Sequence, residues 1–268
     1  MTDGCEYMKF CSLASGSSGN CYYLGTEKAN ILIDAGISGK RVCNDLEDKM
    51  GLNGVDLDGI FITHEHIDHI QSVGVLARKF KTPLYATSGT WAGMQNKIGN
   101  VDQDLCHVLP ETGSIEINDV NIEWFPISHD ANEPVGYLVE NDNKRIGIAT
   151  DTGMINKGMA KALFDVNLLI LEANHDEKML FNGKYPAYLK KRIQSSHGHL
   201  SNIAAGQALL DLAGDKTKTV FLAHLSQENN LPSLALRTVG DILSENKIPY
   251  SFDIEVAPRS QATSCIKL

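Results

Sequence analysis

The chain lacks what would place it in a membrane or a cross-linked scaffold. None of its 268 residues belongs to an apolar stretch approaching bilayer-spanning length, and its opening, MTDGCEYMKF, has no signal-peptide apolar core. Six cysteines (Cys5, Cys11, Cys21, Cys43, Cys106 and Cys265) are scattered without a C-x-x-C pair. That pattern excludes a zinc knuckle or disulfide framework and fits reduced, mostly buried thiols in the cytoplasm. A basic surplus is missing too: the formal net charge is -9, so no global positive field announces nucleic acid. Aromatic residues make up 7%, few are placed for base stacking, and no DNA-binding module is recognisable. No internal repeat, low-complexity tract or long Pro/Gly linker divides the chain. Met8 reads as the start of the ordered part, with residues 1–7 expected to form a disordered leader and 8–268 one domain.

What is present is a globular composition, 43% hydrophobic and 21% charged, able to bury a full core. KFCSLAS, NCYYLGT and NILIDAG are short β-prone runs separated by Gly, Ser and Asn, the pattern of a strand meander. Residues 38–50 read as a helix, GIFIT as a buried strand, IQSVGVLARKF as a helix and PLYAT as a strand before a helix around Trp91 and Met94. In the second half VNIEWFPIS, VGYLVEN, RIGIAT, VNLLILEAN, TVFLAHLS and YSFDIEVA read as strands. Residues 156–164, NIAAGQALLDLA and LPSLALRTVGDILSEN read as helices. Two β-rich halves with interspersed helices predict an α/β fold: two packed sheets covered outside by helices, a four-layer αββα sandwich in one domain.

Strand after predicted strand ends in a potential ligand: Asp34 after ILI, His64 after IFIT, His129 after FPIS, Asp151 after GIAT and His224 after TVFLA. Loops at strand ends are where rigid scaffolds carry chemistry. In THEHIDH, His64 and His66 are two apart and project from one side of an extended segment, while Asp68 and His69 follow at a predicted helix start. Taken singly, each histidine is better read as a strand cap or a solvated side chain. The joint pattern of H-x-H-x-D-H with further His and Asp at later strand ends is specific for metal.

His64, His66, Asp68, His69, His129, Asp151 and His224 resemble the ordered ligand set of the metallo-β-lactamase superfamily, with Asp34 matching its first, structural aspartate. The resemblance covers nearly the whole chain and implies the αββα fold and a centre of two divalent metal ions. By it, His64, His66 and His129 hold one ion, Asp68, His69 and His224 the other, and Asp151 bridges them. Imidazole with carboxylate suits zinc, manganese or iron alike. An aspartate at position 151, where several true β-lactamases have cysteine, resembles the hydrolases of phosphodiesters and thioesters. In such members a hydroxide bridging the two ions is the nucleophile, and Asp68 would also orient it.

SGSSGN, THEHIDH, EANHD and GHLSN together are similar to the YycJ/WalJ (VicX) branch, which is described as metal-dependent nucleases with 5′-to-3′ double-strand DNA exonuclease activity. The resemblance makes DNA the expected partner and adds a functional link to a two-component signalling system. His199 in GHLSN resembles the ribonuclease Z histidine that protonates the leaving oxygen, so Asp68 and His199 are the expected catalytic pair. Ser17 and Ser18 read either as a plain Gly/Ser turn or as phosphate contacts. Lys190, Lys191 and Arg192 read either as a solvated helix face or as a basic surface for phosphate, and His175 and His197 are further substrate-binding candidates. Other functions stay open on the residues: a glyoxalase II-like thioesterase, a small cyclic-phosphodiesterase, or a non-catalytic, metal-stabilised regulatory partner.

Overall fold

The structure, a computed structural model, describes residues 7–247 and 251–268. Residues 1–6 of the expected leader and Tyr250 of the last expected strand lie outside the described residues. Met8 is already buried, and its carbonyl accepts the Leu268 amide at 2.9 Å.

In chain order the strands are β1 (Lys9–Ala14), β2 (Cys21–Gly25), β3 (Asn30–Ile33), β4 (Gly59–Phe61), β5 (Leu84–Thr87) and β6 (Cys106–Leu109). A second group follows: β7 (Gly113–Ile117), β8 (Val120–Pro126), β9 (Val135–Asn141), β10 (Lys144–Ala149), β11 (Leu168–Glu172), β12 (Thr219–Ala223) and β13 (Asp253–Val256). β14 (Ile266–Lys267) returns to the first sheet, whose order is β14-β1-β2-β3-β4-β5-β6; the second sheet runs β13-β12-β11-β10-β9-β8-β7. The helices are α1 (Gly39–Met50), α2 (Ile67–Ile70), α3 (Val73–Phe80), α4 (Ser88–Met94), α5 (Lys157–Leu163), α6 (Glu177–Asn182), α7 (Ala187–Ile193), α8 (Asn202–Leu212) and α9 (Pro232–Glu245).

The period-two alternation of apolar residues sets the layers. Ile31 and Ile33 of β3 enter the core between the sheets, which also takes Ile170 of β11 and Phe221 of β12. Leu32 faces the opposite side, where it packs with Val42 of α1 and Leu76 of α3. Leu169 and Leu171 of β11 likewise turn outward to Leu209 of α8 and Val239 of α9. The result is the expected four-layer αββα sandwich. Phe61, stacked on Tyr85 at 4.4 Å and edge-on to Tyr137 at 5.8 Å, fixes the central core in a geometry aromatic pairs favour. The Tyr137 hydroxyl donates to the Ile62 carbonyl at 2.8 Å, tying the second sheet to the chain just before His64.

Strands β6 and β7 and helix α6 were not expected from the sequence, and α7 was expected only as one reading of the basic run. β7 has no fully buried position, and α6 and α7 are short, so neither periodicity was strong. The single helix expected over IQSVGVLARKF is broken at Gln71 and Ser72. The Ser72 amide and hydroxyl both donate to the Ala35 carbonyl, at 2.9 and 3.1 Å, which takes this turn out of the helical ladder. Cys11 and Cys21 are buried, whereas Cys43, Cys106 and Cys265 are half-buried; all five are free thiols, so fewer are enclosed than composition suggested.

The THEHIDH loop is pinned from below by backbone. The Asn20 amide donates to the Asp68 carbonyl at 2.8 Å, Gly36 donates to the Asn20 carbonyl at 2.8 Å, and Ala35 donates to His69 at 2.9 Å. Gly36 permits this approach, because a Cβ there would lie 1.7 Å from the Asp68 carbonyl oxygen. Gly36→Ala is expected to destabilise the fold by about 1–3 kcal/mol or more, the cost of overpacking against immovable backbone, read as a lower urea midpoint.

Candidate metal centre

The parallel strands and their neighbours in both sheets converge, and the expected ligands sit on the turns that leave them. Asp34 follows β3, His64 lies three residues after β4, Asp151 follows β10 by two residues, and His224 follows β12 directly. Asp34, Asp151 and His224 have left-handed backbone, with φ of 60°, 54° and 54°. Asp and His enter that region more readily than most residues, and here it turns Asp151 and His224 from their strands into the cleft and Asp34 onto Thr63 and His69.

His64, His66 and His129 form one cluster of ligand atoms, and Asp68, His69 and His224 another, each with its atoms within 4.8 Å of one another. Asp151 stands between them: its Oδ2 is 3.1 Å from His69 Nε2, and its Oδ1 is 3.2 Å from His224 Nδ1 and 3.9 Å from His129 Nε2. All seven expected ligands are thus brought together.

Whether these donors suit metal can be judged from the imidazole hydrogen bonds. His69 Nδ1 donates to Asp34 Oδ2 at 2.7 Å, and His224 Nδ1 donates to Glu172 Oε1 at 2.9 Å. His129 Nδ1 donates to the Gly198 carbonyl at 3.2 Å. The Thr63 hydroxyl proton is committed to Asp34 Oδ2 at 2.8 Å, so His64 Nδ1, 3.0 Å away, must donate to Thr63 Oγ1. Four rings therefore have Nδ1 occupied on an oxygen and Nε2 turned to the centre, the arrangement of metal-ligating histidines. His224 Nε2 is buried without a hydrogen-bond partner. His66 Nδ1 lies 3.0 Å from His64 Nε2 and 3.3 Å from His129 Nε2, and one shared proton cannot satisfy three ring nitrogens as a cation would. The donor set fits divalent metal.

Charge supports the same conclusion. Burial pushes the His64 and His129 imidazoles down, leaving them neutral. Burial also opposes charge on His69 and His224, but Asp34 and Asp151 outweigh it at His69, and Asp151 with Asp68 and Glu172 raises His224 to about 10. Without metal, the imidazolium form is favoured at both. Metal needs their lone pairs, so loading the metal-free protein at pH 7 is expected to release protons. Calorimetric titration in buffers of different ionisation enthalpy checks this; a heat independent of buffer would contradict it.

His199, grouped with Asp151, Glu172 and His224 in a further cluster of possible ligand atoms, donates from Nδ1 to Glu172 Oε1 at 2.8 Å and lines the same cleft. Burial lowers its pKa, but the Glu172 charge and hydrogen bond reverse this and raise it above the ordinary value. The cleft, of about 240 Å³, is also lined by Ser17 and Arg192, and Arg192 is ion-paired to Asp130 beside His129. Ser18 is exposed and off the cleft wall. Lys190 is turned away, its Nζ donating to the Phe181 carbonyl at 2.7 Å. His175 is buried, its backbone bridged to Ser201, and His197 is an exposed neighbour of Ser196; neither lines the cleft. Ser201 caps α8, with its side chain accepting from the Ala204 amide.

Four residues that hold the centre lie in the quoted motifs SGSSGN, THEHIDH and EANHD but were given no role there. Glu172, fully buried, orients His199 and His224 and also accepts the Thr152 and Leu200 amides at 2.7 and 3.3 Å. Thr63 links His64 to Asp34; Ser15 Oγ accepts the His224 amide at 2.9 Å; and Asn20 Nδ2 lies 3.0 Å from His69 Nε2. Its place at the end of LLILE and the start of EANHD was the signal for Glu172.

Residues 29–225 match the family model described as "Beta-lactamase superfamily domain". The chain is 42% identical to Exodeoxyribonuclease YycJ of Bacillus anthracis, over 89% of this chain and 90% of that one. It is 41% identical to Exodeoxyribonuclease WalJ of Streptococcus pneumoniae serotype 2, over 96% of each. Among solved structures, the metallo-beta-lactamase fold protein YhfI of Bacillus subtilis matches with a TM-score of 0.72 at 15% identity, covering 96% of this chain and 99% of that one, a likeness of fold.

Proposed function

The chain belongs to the beta-lactamase superfamily, and from that premise we propose that it is a metal-dependent DNA exonuclease, cutting duplex ends in the 5′-to-3′ direction. The names and extent of the two bacterial relatives support the DNA substrate; the direction rests on the resemblance to their branch. The observation that carries phosphodiester chemistry is His199, held on Glu172 in the cleft that contains the metal donors.

His64, His66 and His129 would hold one divalent ion, and Asp68, His69 and His224 a second, with Asp151 shared between them. Zinc, manganese and iron all suit these donors. Bound there, the ions would lower the pKa of the attacking water and offset negative charge on the phosphate. The remaining work falls to the chain. Asp68, the most exposed of the carboxylates at the centre, orients the attacking water through a carboxylate oxygen. His199, whose pKa Glu172 raises, gives the proton of its Nε2 to the leaving oxygen, while Glu172 holds its Nδ1 and stabilises the imidazolium. Ser17 and Arg192 contact the phosphate from the cleft wall. The free thiols and the lack of a long apolar helix among the described residues accord with a cytoplasmic setting.

The test is incubation of metal-loaded protein with linear duplex DNA labelled at one 5′ end. Early release of labelled mononucleotide supports the reading; intact DNA, with both ions confirmed bound, overturns it. A thiol leaves without protonation, so His199→Ala is expected to slow DNA hydrolysis roughly 10²–10⁴-fold and to spare any thioester hydrolysis.

A further inference from the structure

The wall of the cleft opposite the metal donors is α7 and the turn before it. Tyr185, Leu189, Arg192 and Ile193 all line the cleft, a spacing that puts one face of the helix toward the centre. The next face carries Tyr188 and Lys191, one turn apart, and it is open to solvent. α7 buries Ile193 alone, and Tyr188 is 75% exposed, as is Phe181 at the end of α6. Large aromatic side chains left in water beside a cleft are not explained by packing, and such patches mark binding surfaces.

Charge is concentrated on the same segment. Residues 177–193 carry Lys178, Lys184, Lys190, Lys191 and Arg192 against Glu177 alone, in a chain of net charge -9. Lys190 donates to the Phe181 carbonyl, and Arg192 pairs with Asp130 through Nε and keeps its terminal nitrogens for the cleft; these contacts hold α6 and α7 in place. Lys184 and Lys191 are exposed and have no ion pair among the described residues. Aromatic rings alternating with unpaired lysines along a track into the site match the chemistry of a single nucleic-acid strand, where rings take base faces and cations take phosphates.

We propose that α6 and α7 form the docking platform for one strand of a frayed DNA end. Tyr185 and Tyr188 stack on successive bases, Lys184 and Lys191 pair with the phosphates between them, and the terminal nucleotide passes into the cleft. The proposal rests on the phosphodiesterase reading for what happens next, but the binding it describes is independent of cleavage.

The experiment is fluorescence anisotropy of the metal-loaded protein with a short labelled phosphorothioate single strand, which resists hydrolysis. A blunt duplex, an abasic strand and an RNA strand of the same length serve as comparisons. The single DNA strand is expected to bind tighter than the blunt duplex or the abasic strand. Tyr188→Ala should weaken it roughly ten-fold, as loss of one base stack does, while Tyr188→Phe keeps the affinity. Lys184→Ala with Lys191→Ala should flatten the dependence of log affinity on log salt by about 1.4, two phosphate contacts on a single strand. These side chains are exposed, so their loss leaves folding intact, which a thermal melt confirms. Equal affinity for the abasic strand, or unchanged binding by Tyr188→Ala, overturns the platform; tighter binding of RNA overturns its assignment to DNA. A protein that cuts DNA but ignores Tyr188→Ala refutes the platform alone, and one that binds through Tyr188 but cuts no phosphodiester refutes the activity alone.

Discussion

Asp68→Asn, purified and metal-loaded beside the wild type, is expected to hydrolyse DNA at least about 10³-fold more slowly, within the range that positioned proton-transfer groups contribute. The variant is informative because the two halves of Asp68 have separate tasks. Its backbone carbonyl accepts the Asn20 amide and holds the loop; its side chain, 21% exposed, faces His69 and His224. Asparagine keeps the shape and the backbone bond, so the urea midpoint should move little. It loses the carboxylate charge, which burial disfavours and which His224 and His69 stabilise, holding the Asp68 pKa below its ordinary value. Single-turnover rates with metal content measured in parallel decide the matter. An active variant with full metal content would remove Asp68 from the mechanism.

Glu172→Ala should have the largest effect on the fold at the centre. The carboxylate is fully buried and accepts from two imidazoles and two backbone amides. Its removal strands those donors and takes away the negative charge that favours imidazolium at His199 and His224. Breaking a buried pair in this way costs about 3–5 kcal/mol. Losing the oxygen that orients His224 should also lower metal affinity 10–100-fold. Chemical denaturation reads the first effect, and competition with a chelator the second. Glu172→Gln separates shape from charge. It keeps an acceptor for the amides but removes the negative charge that raises His199 against burial. A general acid works only while protonated, so activity is lost as pH rises through its pKa. Lowering that pKa should move the alkaline limb of the pH–rate profile to lower pH. An unmoved limb would show that His199 is not the acid.

The sequence by itself determined the layers and the candidate ligands. Alternation such as Ile31-Leu32-Ile33 must put neighbouring residues on opposite faces of a strand, so buried strands with both faces apolar required a second sheet and outer helices. Asp34, His64, His129, Asp151 and His224 were legible because each stands at the end of such a run, where chain direction alone brings it to one edge of the sheets. The H-x-H-x-D-H spacing added the rest of the set. Only the tertiary structure decided what those side chains bond to and which polar residues around them matter. Glu172 closes an otherwise ordinary apolar strand, and its partners His199 and His224 lie 27 and 52 residues away along the chain. Ser15 reaches His224 across 209 residues. The structure also separated residues that adjacency had grouped: Arg192 lines the cleft, whereas Lys190 turns to Phe181 and His197 stays outside. The physical reason is one of range. Periodicity is a local property of the backbone and shows in a short window, whereas a hydrogen bond between strand ends exists only after the two sheets have packed.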